Sequence, residues 1–291
     1  MRLRTVYLLF LPLFIILGIV VVYPLMMSLY LSLTTTSGQV SASNYATLLS
    51  SATFLDALNV SLLYSLTSTI IALGIGLGLA FIVTQGLRGK GVFEALYVLP
   101  VAVAPIVVGV LFSPSSVWDD IVQFLHFQLG QPYPVINELS PTFFFPVMFL
   151  SEAWEWAPLL MLVALSIINS TPKEIYEAAD LSGASSYQQF RMISLPTIFR
   201  SSVMQFVVVL RFIDAMRAFE IPFAWSNWLG YTSQIGSPVD TISLYLYKLL
   251  FSSSLGFPIG VVSAAALALF GVTLVGAAVL LRILRSGGRG M

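Results

Sequence analysis

Six apolar segments, each long enough to cross a lipid bilayer, constrain this chain more than any other feature of its sequence. A spanning helix needs about 20 mostly apolar residues. The chain offers six such runs, at residues 7–33, 59–84, 92–113, 142–168, 197–225 and 258–284. Charged residues make up only 9% of its 291 residues, whereas soluble domains are about one-quarter charged. We therefore predict an all-α membrane protein of six transmembrane helices, in one transmembrane domain that covers residues 1–291.

The positions of lysine and arginine predict which side of the membrane each loop faces. Basic residues occur at both ends of the chain and in two loops, 85–91 and 169–196. The alternate loops have almost none: 34–58, 114–141 and 226–257, the last with only Lys248. Cytoplasmic loops carry the excess of basic residues. We therefore predict that both termini and the 169–196 loop are cytoplasmic, and that the chain crosses the membrane several times.

Several classes of chemistry find little support in the sequence. The chain has no cysteine, which excludes disulfides and thiolate sites. Its net charge is zero, which gives no reason to expect nucleic acid as a partner. His126 is the only histidine and falls in a predicted outer loop. We therefore predict no catalytic residue, no metal site and no cofactor site in this chain.

A polar segment, YEAADLSGASSYQQF at 176–190, interrupts the apolar sequence on the predicted cytoplasmic side. Thr171 and Pro172 predict a helix start, with the threonine as the cap and the proline at the first helical position. Gly183 should interrupt this helix, and a second short helix should lead to Pro196 and the fifth span. Two interpretations remain open from the residues alone: a solvated connecting loop, or a docking element for a cytosolic partner.

Charged side chains also fall inside the fourth and fifth predicted spans. They are Glu152, Glu155, Arg211, Asp214, Arg217 and Glu220. Each would cost roughly 2.5–3.5 kcal/mol if it faced lipid, so we expect them to face protein or a water-filled cavity. The antiparallel course of the two spans should place Glu152 and Arg211 at similar depth.

Two roles are open for these charges. Residues three apart are neighbours on a helix, so Asp214 can pair with the arginines on both sides of it. The set is then either a structural ion network, or part of it, with Trp154 and Trp156, lines a polar pathway across the membrane. Pro222 predicts a kink in the fifth span just after Glu220.

The polar segment resembles the EAA motif of permease subunits of binding-protein-dependent ABC importers. The matching residues are Glu177, Ala178, Ala179, Gly183, Ala184, Phe190 and Pro196. Many sugar importers have aspartate before the glycine, where this chain has Ser182. Stretches such as YPLMMSLYLSL, VLPVAVAPIVVGVLF and RFIDAMRAFEIPF also resemble the carbohydrate-uptake, maltose-type branch. The Gly-Gly-Pro turn that often follows the fifth span is reduced here to IGSP at 235–238.

This resemblance implies a fold, a function and a set of partners. The fold would be that of a type I ABC importer permease, with a coupling element at about 172–195. Glu177, Ala178, Ala179, Gly183 and Ala184 would dock onto two cytosolic ATPase subunits, which bind ATP and magnesium; this chain would bind neither. A second permease subunit, as a hetero-pair, and an external solute-binding protein would complete the importer.

The resemblance also implies a cargo and a location. The importer would carry a sugar or a related small polar solute across the plasma membrane of a prokaryote, with lipid around the permease. The alternative is an ion-coupled secondary transporter that uses the intramembrane carboxylates. Such transporters often show inverted repeats, and we find none in this sequence.

Overall fold

The chain is mostly helical in the part that a computed structural model describes: residues 3–35, 37–85, 91, 97–113, 124, 127–128, 130, 141–251 and 258–290. In these ranges the only β-type pairing is one isolated bridge between Thr34 and Val40. Four helices are long and apolar enough to cross a membrane, and a bent pair of helices would make a fifth span. The predicted all-α class is confirmed.

The spans are numbered here in the order of the six predicted segments. Span one consists of Leu3–Leu17, a π-helical turn at Gly18–Val22, and Tyr23–Ser32. Spans two, four and six are the helices Ala52–Thr84, Pro141–Ser170 and Ile259–Gly290. The third segment is described from residue 97 and contains a short turn, Leu99–Ala102, and a helix, Pro105–Phe112. The number of six spans stays a prediction, and most of the 114–141 loop lies outside the described residues.

Span two begins seven residues earlier than the predicted residue 59, at Ala52. Ser51 follows the short helix Ser43–Ser50, and its backbone is extended. Its side chain accepts a hydrogen bond from the Phe54 N–H at 3.4 Å. With this cap, span two begins within the predicted loop 34–58. Part of that loop is therefore helical.

Spans two, four and five pack around a shared apolar core. The core carries buried alanines at the helix contacts: Ala72, Ala80, Ala153 and Ala164. Small side chains let helix backbones approach closely in a membrane, where apolar surface alone does not drive association. This close packing brings the polar side chains of the same three spans within contact distance of one another.

Span five is not the single helix predicted at 197–225. It consists of Ser202–Met216 and Glu220–Trp228, with non-helical residues 217–219 between them. The predicted kink after Glu220 is therefore in the wrong place. Pro222 instead lies in the first turn of the second helix, after the break, where proline is tolerated.

Two helical elements flank span five. A helical hairpin precedes it, with arms at Lys173–Leu181 and Ser186–Arg200, and the second arm bends by 69° into span five at Ser201. We call this element the 173–200 hairpin. After span five, an irregular segment leads to the helix Ile242–Phe251, which we call the loop helix. The sequence did not predict the loop helix.

Candidate functional site

A buried ion pair joins spans four and five. The side chain of Arg211 is fully buried, and its Nη1 lies 2.9 Å from Oε1 of Glu152. Its Nη2 donates to the Ser68 hydroxyl at 3.1 Å, and the guanidinium lies 5.0 Å from the centre of the Trp156 ring. The predicted match in depth between Glu152 and Arg211 is confirmed. The pair satisfies the requirement that a charge at this depth must have a partner.

Span two contributes to the same network. The Tyr64 hydroxyl donates to Glu152 Oε2 at 2.6 Å, and the Tyr64 side chain is fully buried. Together with Ser68, this tyrosine connects span two to the ion pair of spans four and five. Neither residue was predicted from the sequence, because a hydroxyl within an apolar run carries no charge that would distinguish it.

The predicted pairing along span five is present but loose. Asp214 lies 3.9 Å from Arg211 and 3.4 Å from Arg217. The Asp214 side chain is 39% exposed and that of Arg217 is 67% exposed. Exposed ion pairs of this kind contribute about 0–1 kcal/mol. Glu152 is therefore the main counter-ion of Arg211, and Asp214 is a secondary one.

A cavity of about 350 Å³ opens beside this network. It is lined by Pro105, Glu152, Glu155, Trp156, Asp214, Arg217, Ala218, Phe219, Glu220 and Ile221. Among the described residues, no cation forms an ion pair with Glu155 or Glu220. The cavity therefore combines carboxylate acceptors with the aromatic rings of Trp156 and Phe219.

Most of the predicted pathway residues meet at this cavity. Glu152, Glu155, Asp214, Arg217 and Glu220 line it, and Arg211 lies behind Glu152. Trp154 is not among the lining residues. It packs against Phe112 of the third segment, with ring centres 5.5 Å apart, and belongs to an apolar cluster. Of the two tryptophans, only Trp156 faces the cavity.

The break in span five forms one wall of the cavity. The carbonyl groups of Arg217 and Ala218 accept hydrogen bonds from the hydroxyls of Ser243 at 3.0 Å and Thr241 at 2.8 Å. Both hydroxyls lie at the start of the loop helix. Sequence analysis did not identify them, since no local pattern shows which loop residue will reach a given span.

A second buried ion pair anchors the segment before the loop helix. Lys248 Nζ lies 2.6 Å from Asp240 Oδ1, and both side chains are buried. Asp240 Oδ2 also accepts from the N–H groups of Gly236 at 3.0 Å and Ser237 at 3.1 Å. Burial lowers the pKa of Lys248 from its usual value of 10.5, and the hydrogen bond to Asp240 partly offsets this shift. Lys248, the one basic residue in a loop predicted to lie outside, is thus an internal structural cation.

The 173–200 hairpin turns at Gly183. This residue has a φ of +77°, a conformation that glycine adopts without steric cost. The N–H of Ala184 donates to the Ala179 carbonyl at 3.0 Å, which closes the end of the first arm. Ser185 and Gln188 form a capping box that starts the second arm. The predicted helix–glycine–helix arrangement is confirmed.

The start of the hairpin differs from the prediction. Pro172 occupies the N-cap position, with no side-chain cap. Thr171 does not cap the helix; its hydroxyl donates back to the Ile167 carbonyl of span four at 3.2 Å. The reason is geometric, because Pro172 already provides the extended residue from which the helix begins.

The hairpin presents an exposed surface that includes the EAA residues. Glu177, Ala178 and Gly183 are exposed, and Ala179 and Ala184 are half-buried. Large apolar side chains lie on the same hairpin, with Leu181 92%, Met192 74% and Tyr187 60% exposed. Exposed apolar side chains next to small residues are suited to contact with another protein.

In the part of the chain that the structure describes, no group of three or more histidine, cysteine, aspartate or glutamate side chains is placed to hold a metal ion.

Comparison with known proteins identifies many relatives, although no family model matches the chain. The sulfoquinovosyl glycerol transport system permease protein SmoG of Agrobacterium fabrum is 27% identical, over 94% of this chain and 88% of that protein. The trehalose/maltose transport system permease protein MalF of Thermococcus litoralis is 27% identical, over 74% of each. The arabinooligosaccharides transport system permease protein AraP of Bacillus subtilis is 30% identical, over 72% of this chain and 65% of that protein.

Solved structures share the fold. A bacterial alginate ABC transporter, in complex with an alginate pentasaccharide-bound periplasmic protein, matches with a TM-score of 0.75 at 22% identity. The match covers 99% of this chain and 96% of that chain. These comparisons give no support to the ion-coupled alternative. Its relatives and its fold agree over nearly the whole chain, and this multi-pass membrane protein is similar in both to the permease subunits of ABC importers.

Proposed function

We propose that this chain forms one half of the transport pathway of an ATP-driven importer for a sugar or a related small polar solute. The cavity beside the break in span five carries this proposal. Its carboxylates can accept hydrogen bonds from hydroxyl groups, and Trp156 and Phe219 provide apolar faces for a sugar ring. Binding sites for small polar ligands commonly combine such apolar walls with a few convergent polar groups.

The chemistry of the cavity favours a neutral solute over an acidic one. Its lining has the carboxylates of Glu152, Glu155, Asp214 and Glu220, and one guanidinium, that of Arg217. Arg211 lies behind Glu152 and neutralises it. The remaining excess of carboxylates would repel an anion. The relatives are named both for neutral sugars, such as maltose and trehalose, and for the anionic sulfoquinovosyl glycerol, so the preference for a neutral solute rests on the charge of the cavity.

We propose that the ATPase subunits drive the importer through the 173–200 hairpin. Two cytosolic ATPase subunits, which would bind ATP and magnesium, dock on each importer, one of them on the surface around Glu177, Ala178, Ala179, Gly183 and Ala184. The exposure of Leu181 and Met192 supports this role. Because only Ser201 separates the hairpin from span five, a movement of the hairpin would reach the cavity through span five.

The remaining partners follow from the same proposal. A second permease subunit would supply the other half of the pathway, as a hetero-pair, and an external solute-binding protein would deliver the cargo. The complex would lie in the plasma membrane of a prokaryote, with both termini and the hairpin in the cytoplasm. This chain itself would hydrolyse no ATP.

Reconstitution tests the proposal. The chain is co-expressed with candidate ATPase, permease and solute-binding subunits from its own genome, purified as a complex, and placed in liposomes. Uptake of a panel of labelled sugars is measured with and without internal ATP. The wild-type complex is compared with Ser233→Ala, a control variant that changes only an exposed loop hydroxyl. Sugar uptake that needs both ATP and the binding protein is expected. Uptake driven by an ion gradient without ATP would refute the proposal.

A further inference from the structure

The break in span five has a specific chemical requirement, which arises from Pro222. In a continuous helix the Ala218 carbonyl would accept from the N–H of residue 222, and proline has none. That carbonyl therefore needs another donor, because an unsatisfied carbonyl at membrane depth is costly. The Thr241 hydroxyl supplies this donor at 2.8 Å, from outside span five.

Ser243 makes the same kind of hydrogen bond to Arg217, the residue before Ala218. Its hydroxyl donates to the Arg217 carbonyl at 3.0 Å. Arg217 follows Met216, the last residue of the first helix of span five, and helix ends leave their final carbonyls without partners inside the helix. Two hydroxyls of one short segment thus serve two successive carbonyls of the break.

The segment that carries these hydroxyls is itself fixed. The Asp240–Lys248 ion pair joins the residue before Thr241 to the loop helix, with 2.6 Å between Nζ and Oδ1. The N–H of Ile242 donates to the Ser61 hydroxyl of span two at 2.8 Å. Gly236, with φ +81°, lies so close to Thr53 that a Cβ there would be 2.7 Å from Thr53 Cγ2. Contacts on both sides therefore hold the start of the loop helix against span two.

We infer that Thr241 and Ser243 are positioning residues of the transport cavity, held in place by the Asp240–Lys248 ion pair. The two residues whose carbonyls they bond, Arg217 and Ala218, begin the run 217–221 that lines the cavity. A shift of this segment would move Arg217 and Glu220 relative to Glu155 and Trp156 on the opposite wall. The loop helix therefore sets the shape of the cavity without contacting the solute.

The test compares three variants of the assembled complex. Thr241→Val keeps the shape of the side chain and removes the hydroxyl, which donates to the Ala218 carbonyl and also accepts from the Leu244 N–H at 3.3 Å. Thr241→Ser restores the hydroxyl, and Ser233→Ala is the control in the same loop. Two quantities are measured: hydrogen exchange of backbone amides in peptides that cover residues 214–223, and the solute concentration that gives half-maximal uptake. The uptake measurement rests on the proposed function, whereas hydrogen exchange does not.

For Thr241→Val we expect faster exchange in this peptide and an increase of about three- to tenfold in the half-saturating concentration, as for the loss of one or two hydrogen bonds. The maximal uptake rate should change less, and Thr241→Ser and Ser233→Ala should match wild type in both measurements. Unchanged exchange in Thr241→Val would overturn the inference. Loss of assembly in Thr241→Val alone would also overturn it, because the hydroxyl would then be a folding requirement. A wild-type complex that transports no sugar would contradict the proposed function and leave the exchange result to decide the inference.

Discussion

Replacing Arg211 by methionine should destabilise the chain more than any other single change in its charge network. Methionine keeps an unbranched side chain of similar length in the apolar surroundings and removes the charge. Glu152, which is only 5% exposed, would then lose its counter-ion at 2.9 Å. Ser68 would lose a hydrogen-bond partner, and Trp156 would lose its contact with the cation.

The expected magnitude follows from this geometry. Breaking a buried ion pair by removing one partner typically costs about 3–5 kcal/mol, since the other charge stays buried without compensation. Removing both charges, in Arg211→Met with Glu152→Gln, should restore most of this loss, because a glutamine can still accept the Tyr64 hydrogen bond at little cost. The two changes should therefore be strongly non-additive, as expected for residues in direct contact.

The assay is the apparent melting temperature of the purified complex, followed by intrinsic fluorescence, together with the amount recovered from membranes. A loss of this size should lower the melting temperature by on the order of 10 °C. Arg285→Met, the same replacement at an exposed position on span six, is the control and should melt like wild type. The reasoning would be refuted if Arg211→Met also melted like wild type, or if the double variant were no more stable than the single one.

Four further experiments test other parts of the molecule. Asp214→Ala should lower stability by only about 0–1 kcal/mol, because Asp214 is 39% exposed; a melting temperature as low as that of Arg211→Met would show that Asp214 is the main counter-ion after all. Glu220→Gln should slow sugar uptake while yield and basal ATP hydrolysis persist, and a parallel fall of all three would make Glu220 a structural residue only. Gly183→Leu places a branched side chain at φ +77°, which costs roughly 1–2 kcal/mol; coupled transport should be lost although the chain still inserts, and retained coupling would argue against docking at the turn. A cysteine at Ser37 should react with an impermeant reagent in intact cells and one at Ser186 should not, and labelling of the latter from outside would reverse the predicted orientation.

The charge network was largely predictable from the sequence. Charged side chains in an apolar span must find partners, and the antiparallel course of spans four and five left Glu152 and Arg211 at the same level. The sequence could not show which carboxylate, Asp214 or Glu152, pairs more strongly with Arg211. Asp214 is close to Arg211 in sequence, whereas Glu152 is closer in space and more deeply buried. Burial depends on the packing of whole helices, which local spacing does not report.

The break in span five shows a different limit. Pro222 correctly indicated that a helical hydrogen bond was missing, but not on which side of the proline the helix would end. The carbonyls at the break accept from Thr241 and Ser243, which belong to a loop in the sequence and reach span five only in the folded chain. The early start of span two has a simpler cause, since Ser51 is a cap of the expected type that lay inside a segment assigned to a loop.

The dependence of the Ala218 carbonyl on a donor from the loop helix makes Pro222 and Thr241 a single evolutionary unit. A descendant that exchanged Pro222 for a residue with an N–H could rebuild the helical bond, and selection on the hydroxyl at position 241 would then relax. A descendant that lost the hydroxyl first would leave the Ala218 carbonyl, in the wall of the cavity, without a hydrogen-bond donor. The permitted order of substitution is therefore proline first and threonine second. Across diverging relatives, the two positions should change together, although they lie in different segments of the chain.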